Sequence, residues 1–115
     1  MPAVGYLVED KKARRLFYTG DTGPTNKTWE RIGNKQIHCL ITDVSFPDNM
    51  EDMAIKSGHL TPRLLKEELF KIQQMPEQIC ITHEKPQFSK TINNELNRLK
   101  IKNIKILKDG DIVRV

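Results

Sequence analysis

The sequence predicts an α/β domain, and three observations carry the prediction. The two strongest strand signals, Ile37 to Val44 (IHCLITDV) and Ile79 to Thr82 (ICIT), are apolar on both faces, as strands covered on both sides are. Two other segments repeat apolar residues at helical spacing: Leu64, Leu65, Leu69 and Ile72 in one, Ile92, Leu96 and Leu99 in the other. Read end to end, the elements alternate as β-β-α-β-α-α-β-α-β-β, without internal repeat or low-complexity tract, which is the pattern of a layered α/β unit.

Each element has a local cause. Val4 to Glu9 and Arg15 to Thr19 flank a charged turn, Asp10-Lys11-Lys12, and predict a hairpin. Thr25 or Asn26 can cap a short helix holding Trp29 and Ile32, which Gly33-Asn34 would end. In the next strand Ile37, Cys39 and Ile41 share one face, and Leu40 and Val44 the other. Phe46-Pro47 breaks the chain before a short helix from about 49 to 57. Thr61 caps the longest predicted helix, Pro62 occupies its favoured first position, and Pro76 is expected to stop it. A further helix runs from about Ser89 to Leu99. From Ile104 onward the chain predicts a closing hairpin with Asp109-Gly110 at its turn.

Composition narrows the function classes. A chain of 115 residues supports one small domain, here residues 1–115. The N-terminus lacks a basic stretch followed by an apolar core, and no apolar run spans a bilayer, so the expectation is a cytoplasmic chain without membrane contact. The mild net charge of +4 reads first as a solvated basic face, and second as an attraction for a phosphate-bearing substrate. Nucleic-acid binding is disfavoured, because aromatic residues are too few to interleave with the basic ones. Cys39 and Cys80 lack a metal-knuckle spacing and lie in apolar strands, which predicts buried reduced thiols.

Three stretches share one design. Leu16-Phe17-Tyr18 runs into Thr19-Gly20-Asp21-Thr22-Gly23-Pro24, delivering a carboxylate into a tight loop at a strand end. Ser57-Gly58-His59-Leu60-Thr61-Pro62 sets an imidazole just before a capped helix, and Ile79-Cys80-Ile81-Thr82-His83-Glu84-Lys85-Pro86 ends an apolar strand in a histidine. By residue type alone the roles stay open. An Asp in a Gly-rich turn often bonds its own backbone, and a strand-end His often faces solvent. Asp43 closes its strand as either a loop anchor or an orienting acid, and Lys85 is either a solvated cation or a phosphate contact. His38 falls mid-strand, outside these motifs, and reads as structural.

The ordered set GDTGP, SGHLTP and ITHEKP resembles the second half of a metallo-β-lactamase-fold hydrolase. Within that superfamily it most resembles the class II cyclic-nucleotide phosphodiesterases, with the tRNA 3′-processing ribonucleases next. The resemblance implies half of an αββα sandwich: one mixed sheet with helices on one face. It implies Asp21 as a carboxylate bridging two divalent metals and His83 as a ligand of the second. It implies His59 as the group that contacts the scissile phosphate and protonates the leaving oxygen, a task that suits an imidazole with an ordinary pKa of about 6.5. Free N–H groups at the Thr61 end of the following helix are expected to favour phosphate as well. Asp43 would orient His59 or a substrate group, and Lys85 would touch substrate phosphate.

The same resemblance exposes a gap. The HxHxDH motif that supplies most metal ligands in this fold, and the further histidine before the GYLV-like strand, have no counterpart among His38, His59 and His83. Asp21 and His83 make two ligands, whereas a catalytic zinc site takes three and a water. The expectation is a phosphodiesterase-like fragment or subunit, inactive alone. It would hold zinc, or manganese or magnesium in its place, only when a missing N-terminal half completes it. The competing expectation is a non-catalytic module whose bare sheet face pairs with a second copy as a homodimer. A third reading takes Asp43 as a phosphoryl acceptor.

Overall fold

A computed structural model describes residues 5–20, 22–82, 85–108 and 110–111. They form a five-stranded sheet in chain order: β1 (Tyr6–Glu9), β2 (Arg15–Tyr18), β3 (Cys39–Asp43), β4 (Gln78–Thr82) and β5 (Ile104–Ile106). The β1–β2 pair is antiparallel and every later pair is parallel, so the sheet is mixed. The helices are α1 (Lys27–Ile32), α2 (Glu51–Ser57), α3 (Pro62–Phe70) and α4 (Ser89–Arg98), with single 3-10 turns before α2 and α4.

The hairpin is fixed at its turn by Asp10, whose Oδ1 accepts from the amides of Lys12 (2.8 Å) and Arg14 (2.9 Å). These amides, Arg14's first, hold the Asp10 carboxyl below its usual range. At the other end the backbone must come close to a ring. A Cβ on Gly5 would stand 2.5 Å from the Phe17 ring, so only glycine fits there.

Strand register decides which residues face the helices. Phe17 stands beside Leu40, Leu40 beside Ile79, and Ile79 beside Ile104; Thr42 stands beside Ile81, and Ile81 beside Ile106. Apart from Thr42, these residues join Trp29, Ile32, Leu64, Leu65, Leu69, Ile92 and Leu96 in one hydrophobic core. Parallel crossovers that step always in the same direction across a sheet, each right-handed, leave their helices on one face. The opposite face carries Tyr6, Val8, Leu16, Tyr18, Cys39, Ile41 and Cys80. There Tyr6 is 61% and Val8 58% exposed, while Leu16, Tyr18 and Ile41 are half-buried. The two-sided apolar strands therefore have helices on one side alone; this chain supplies no layer over the other among its described residues.

Cys39 and Cys80 are the exception on that face. They are buried as free thiols, with Sγ atoms 4.0 Å apart. Burial first, and then the neighbouring sulfur, push the Cys39 thiol up to about 12.

Several boundaries differ from the sequence reading. Asn26 is the N-cap of α1 but makes no side-chain capping bond, and the Thr25 amide instead donates to Glu68 Oε1 at 2.9 Å. The α3 helix ends at Phe70, well before Pro76: the Lys71 and Ile72 amides bond three residues back, to Glu68 and Leu69, in a tightened last turn, and Lys71 Nζ reaches Glu68 and the Thr25 carbonyl. At nine residues it is shorter than the ten-residue α4. The segment from Ile104 enters the sheet parallel to β4; Asp109 and residues 112–115, which would complete the predicted hairpin, lie outside the described residues, as does Val4. His38 has the structural place expected of it: its Nδ1 accepts from the Arg15 amide at 2.9 Å.

Candidate functional site

The candidate site lies where β2, β3 and β4 end side by side. The Thr19 amide donates to the Ile41 carbonyl at 3.0 Å, and the Val44 amide to the Thr82 carbonyl at 2.9 Å. Thr19 Oγ1 bonds Thr42 Oγ1 at 3.0 Å. Asp21 and His83 lie outside the described residues. Gly20 and Thr82, which precede them, follow β2 and close β4 on either flank of β3.

His59 comes to this edge through the turn after α2. Gly58 takes a left-handed conformation, φ 75°, and the His59 amide bonds back to the Ala54 carbonyl at 2.8 Å. The chain then crosses the end of β3, where the Ser45 amide donates to the Leu60 carbonyl. The glycine loop closes from the other side: a Cβ built on Gly23 would stand 3.6 Å from Gly58 Cα and 3.7 Å from the His59 amide nitrogen.

Asp43 and His59 meet directly, with His59 Nδ1 3.0 Å from Asp43 Oδ2. The Asp43 side chain is 2% exposed and the His59 side chain 13%. Ser45 Oγ donates to the same Oδ2 at 2.6 Å, while the buried Oδ1 has no hydrogen-bond partner among the described residues. The Phe46 ring meets the imidazole edge-on, with centroids 5.8 Å apart, and packs on Phe88 at 6.0 Å. Lys85 Nζ sits 5.2 Å above the centre of the same Phe46 ring. Of the five residues singled out in the sequence, His59 and Lys85 thus meet on the Phe46 ring, Asp43 joins them through His59, and Asp21 and His83 lie outside the described residues.

Two sequence expectations fail here. The start of α3 has no amide to spare for phosphate. Pro62 carries no N–H, Arg63 N is taken by Asp48 Oδ1 at 2.8 Å, Leu64 N by Thr61 Oγ1 at 3.2 Å, and Leu65 N by the Thr61 carbonyl. Nor is Asp43 placed as a phosphoryl acceptor, since its carboxylate is buried and engaged, and Asp48 is turned onto α3.

Among the described residues no three His, Cys, Asp or Glu side chains cluster as a metal site. Asp43 Oδ2 is committed to Ser45 and His59, so these residues do not by themselves fit a metal ion.

Sequence reading also missed the clamp behind the glycine loop. Glu68 is 2% exposed; its Oε1 accepts from the Thr25 amide and from Trp29 Nε1 (3.1 Å), and its Oε2 pairs with Lys71. The signal was present: position 68 falls on the apolar stripe of Leu64, Leu65 and Leu69, where a carboxylate must find buried partners.

Fold and sequence comparisons define the class. The short form of human tRNase Z superposes with a TM-score of 0.68 at 17% identity, covering 96% of this chain and 37% of that one. No protein-family model matches. The chain has the metallo-β-lactamase fold, matched over part of it. In sequence it is 34% identical over 94 residues to ribonuclease Z of Archaeoglobus fulgidus, covering 82% of this chain and 29% of that protein. It is 31% identical to a probable 3′,5′-cyclic-nucleotide phosphodiesterase of Yersinia pestis, covering 62% of this chain and 26% of that protein. The chain thus spans less than a third of the length of these curated relatives. Among the described residues no helix is long and apolar enough to cross a membrane.

Proposed function

We propose that this chain is the C-terminal portion of a metal-dependent phosphodiesterase-like hydrolase, a single unit over residues 1–115 that works only when completed. The observation that supports this best is the buried Asp43–His59 contact at the shared end of three strands. In this reading His59 protonates the leaving oxygen of a phosphodiester, and Asp43 orients the ring. Lys85 lends positive charge beside it. Asp21 and His83 serve as two ligands of a divalent metal centre, zinc first and manganese or magnesium in its place. The remaining ligands come from a first-half polypeptide carrying HxHxDH. When bound, the metal would supply Lewis-acid activation of the phosphate. A small phosphodiester such as a cyclic nucleotide is the favoured substrate, and the cytoplasm the favoured compartment. Alone, the chain should not hydrolyse it.

The test is complementation. The chain, a first-half polypeptide and their mixture are assayed with bis(p-nitrophenyl) phosphate and 3′,5′-cyclic AMP in the presence of zinc or manganese. Turnover in the mixture alone, lost on His59→Ala and on Asp21→Asn, supports the reading. Turnover by the chain alone, or a mixture indifferent to His59→Ala, would falsify it.

A second reading rests on a separate observation, the exposure of Tyr6 and Val8 beside half-buried Leu16, Tyr18 and Ile41. In it the bare face joins two copies into a homodimer without catalysis. Sedimentation that stays monomeric at high concentration would count against it.

A further inference from the structure

We propose that Ser45 is a positioning residue that fixes which nitrogen of His59 carries its proton. The inference rests on the functional reading only for its use; its geometry stands alone. An Asp carboxylate turns about a broad, roughly two-fold torsion, so either oxygen could face the imidazole. At Asp43 the two oxygens are not equivalent. Oδ1 is buried and is held by no partner among the described residues. Oδ2 has two short contacts, Ser45 Oγ at 2.6 Å and His59 Nδ1 at 3.0 Å. Among the described residues Ser45 is therefore the one neighbour besides His59 itself that selects Oδ2.

Ser45 is well placed to do so. It is fully buried, its amide is bound to the Leu60 carbonyl, and the preceding amide, Val44, is bound to Thr82. Its hydroxyl has a single proton to give, and the structure gives it to Oδ2. A carboxyl oxygen that bears a proton is a poor acceptor, so two short contacts mark Oδ2 as bare. His59 Nδ1 must then be the donor, which fixes the Nδ1–H tautomer and leaves Nε2 as the working nitrogen. The hydroxyl thus sets the outer face of the ring by acting on the carboxylate at its inner face.

The test is histidine tautomer assignment by long-range proton–nitrogen correlation in the full chain, at a pH where the imidazole is neutral. It needs neither metal nor substrate. The wild type should show a protonated Nδ1 and a bare Nε2 on His59. Ser45→Ala should raise the Nε2–H population several-fold, and Ser45→Thr, which keeps the hydroxyl, should restore the wild-type pattern. Methyl signals of Ile79 and Ile81 report whether each variant folds. If Ser45→Ala does not, Ser45→Cys, a weaker donor of similar size, should give the same change to a smaller extent. A bare Nδ1 in the wild type, or an unchanged pattern in folded Ser45→Ala, overturns the inference. The Nδ1–H pattern in a chain that never gains hydrolysis when complemented would support this role and overturn the functional reading alone.

Discussion

The two faces of the sheet are made of similar residues and have different fates. On the helical face Leu40, Ile79 and Ile81 are at most 1% exposed, packed under helix side chains from α3 and α4. On the other face Ile41, next to Leu40, is half-buried, and Tyr6 and Val8 of β1 stand in solvent; only the small thiols Cys39 and Cys80 are buried among the residues named there. Residue type does not distinguish them; the direction of the crossovers does. The difference shows that an apolar strand declares that it will be covered on both sides without saying by which chain.

The sharpest break in that comparison is mutational. Ile79→Ala should cost about 2–5 kcal/mol in urea unfolding, as large-to-small changes in packed cores do, while Ile41→Ala should cost less, roughly 1–2 kcal/mol, because part of its area is already exposed and no helix among the described residues packs over it. Equal losses would mean that both faces are covered in solution.

Next in size is the clamp joining the helical layer to the glycine loop. Glu68→Ala removes the partner of the Thr25 amide, the Trp29 indole and Lys71, and should cost about 2–3 kcal/mol, a buried-pair loss discounted for the partial exposure of Lys71. The exposed Arg63–Glu51 pair, at 3.1 Å, should yield less than about 0.5 kcal/mol on Glu51→Ala. Thermal melts of the two variants check the contrast.

This clamp also marks where the sequence stopped being legible. The helical stripe of α3, the Thr61 cap and the antiparallel hairpin are local patterns, and the residues that make them are near neighbours in sequence. Two of the three partners of Glu68, Trp29 and Thr25, lie 39 and 43 residues upstream, and Asp43 meets His59 across 16. A polar residue shows in sequence that it needs a partner but not which one. At the start of α3 one amide was misread for the same reason: Asp48, 15 residues earlier, claims Arg63 N, whereas Thr61 takes the next two locally. The parallel pairing of β5 was out of reach for a similar reason, since it is decided by β4, more than 20 residues earlier.

A pH experiment separates the buried thiols from the rest of the bare face. Cys39 is raised from an ordinary 9.0 to about 12. Between these values the folded chain holds a proton that the unfolded chain has lost, so stability is fully present below pH 9.0 and falls as pH rises towards about 12. Thiol modification at pH 8 should be slow in the native chain and fast after unfolding; equal rates would contradict the burial of both sulfurs.

The smallest effect on stability belongs to the rim of the open face. Val8→Lys should change unfolding free energy by no more than about 0.5 kcal/mol. It should also abolish any concentration-dependent association seen by sedimentation, and association that persists would place the contact elsewhere.

Calorimetric titration of the isolated chain with zinc or manganese tests most directly whether these strand ends carry only part of a centre. Two protein ligands predict weak binding with no two-metal stoichiometry, tightening when a first-half polypeptide is added. Tight uptake of two ions by this chain alone, lost on Asp21→Asn, would contradict it.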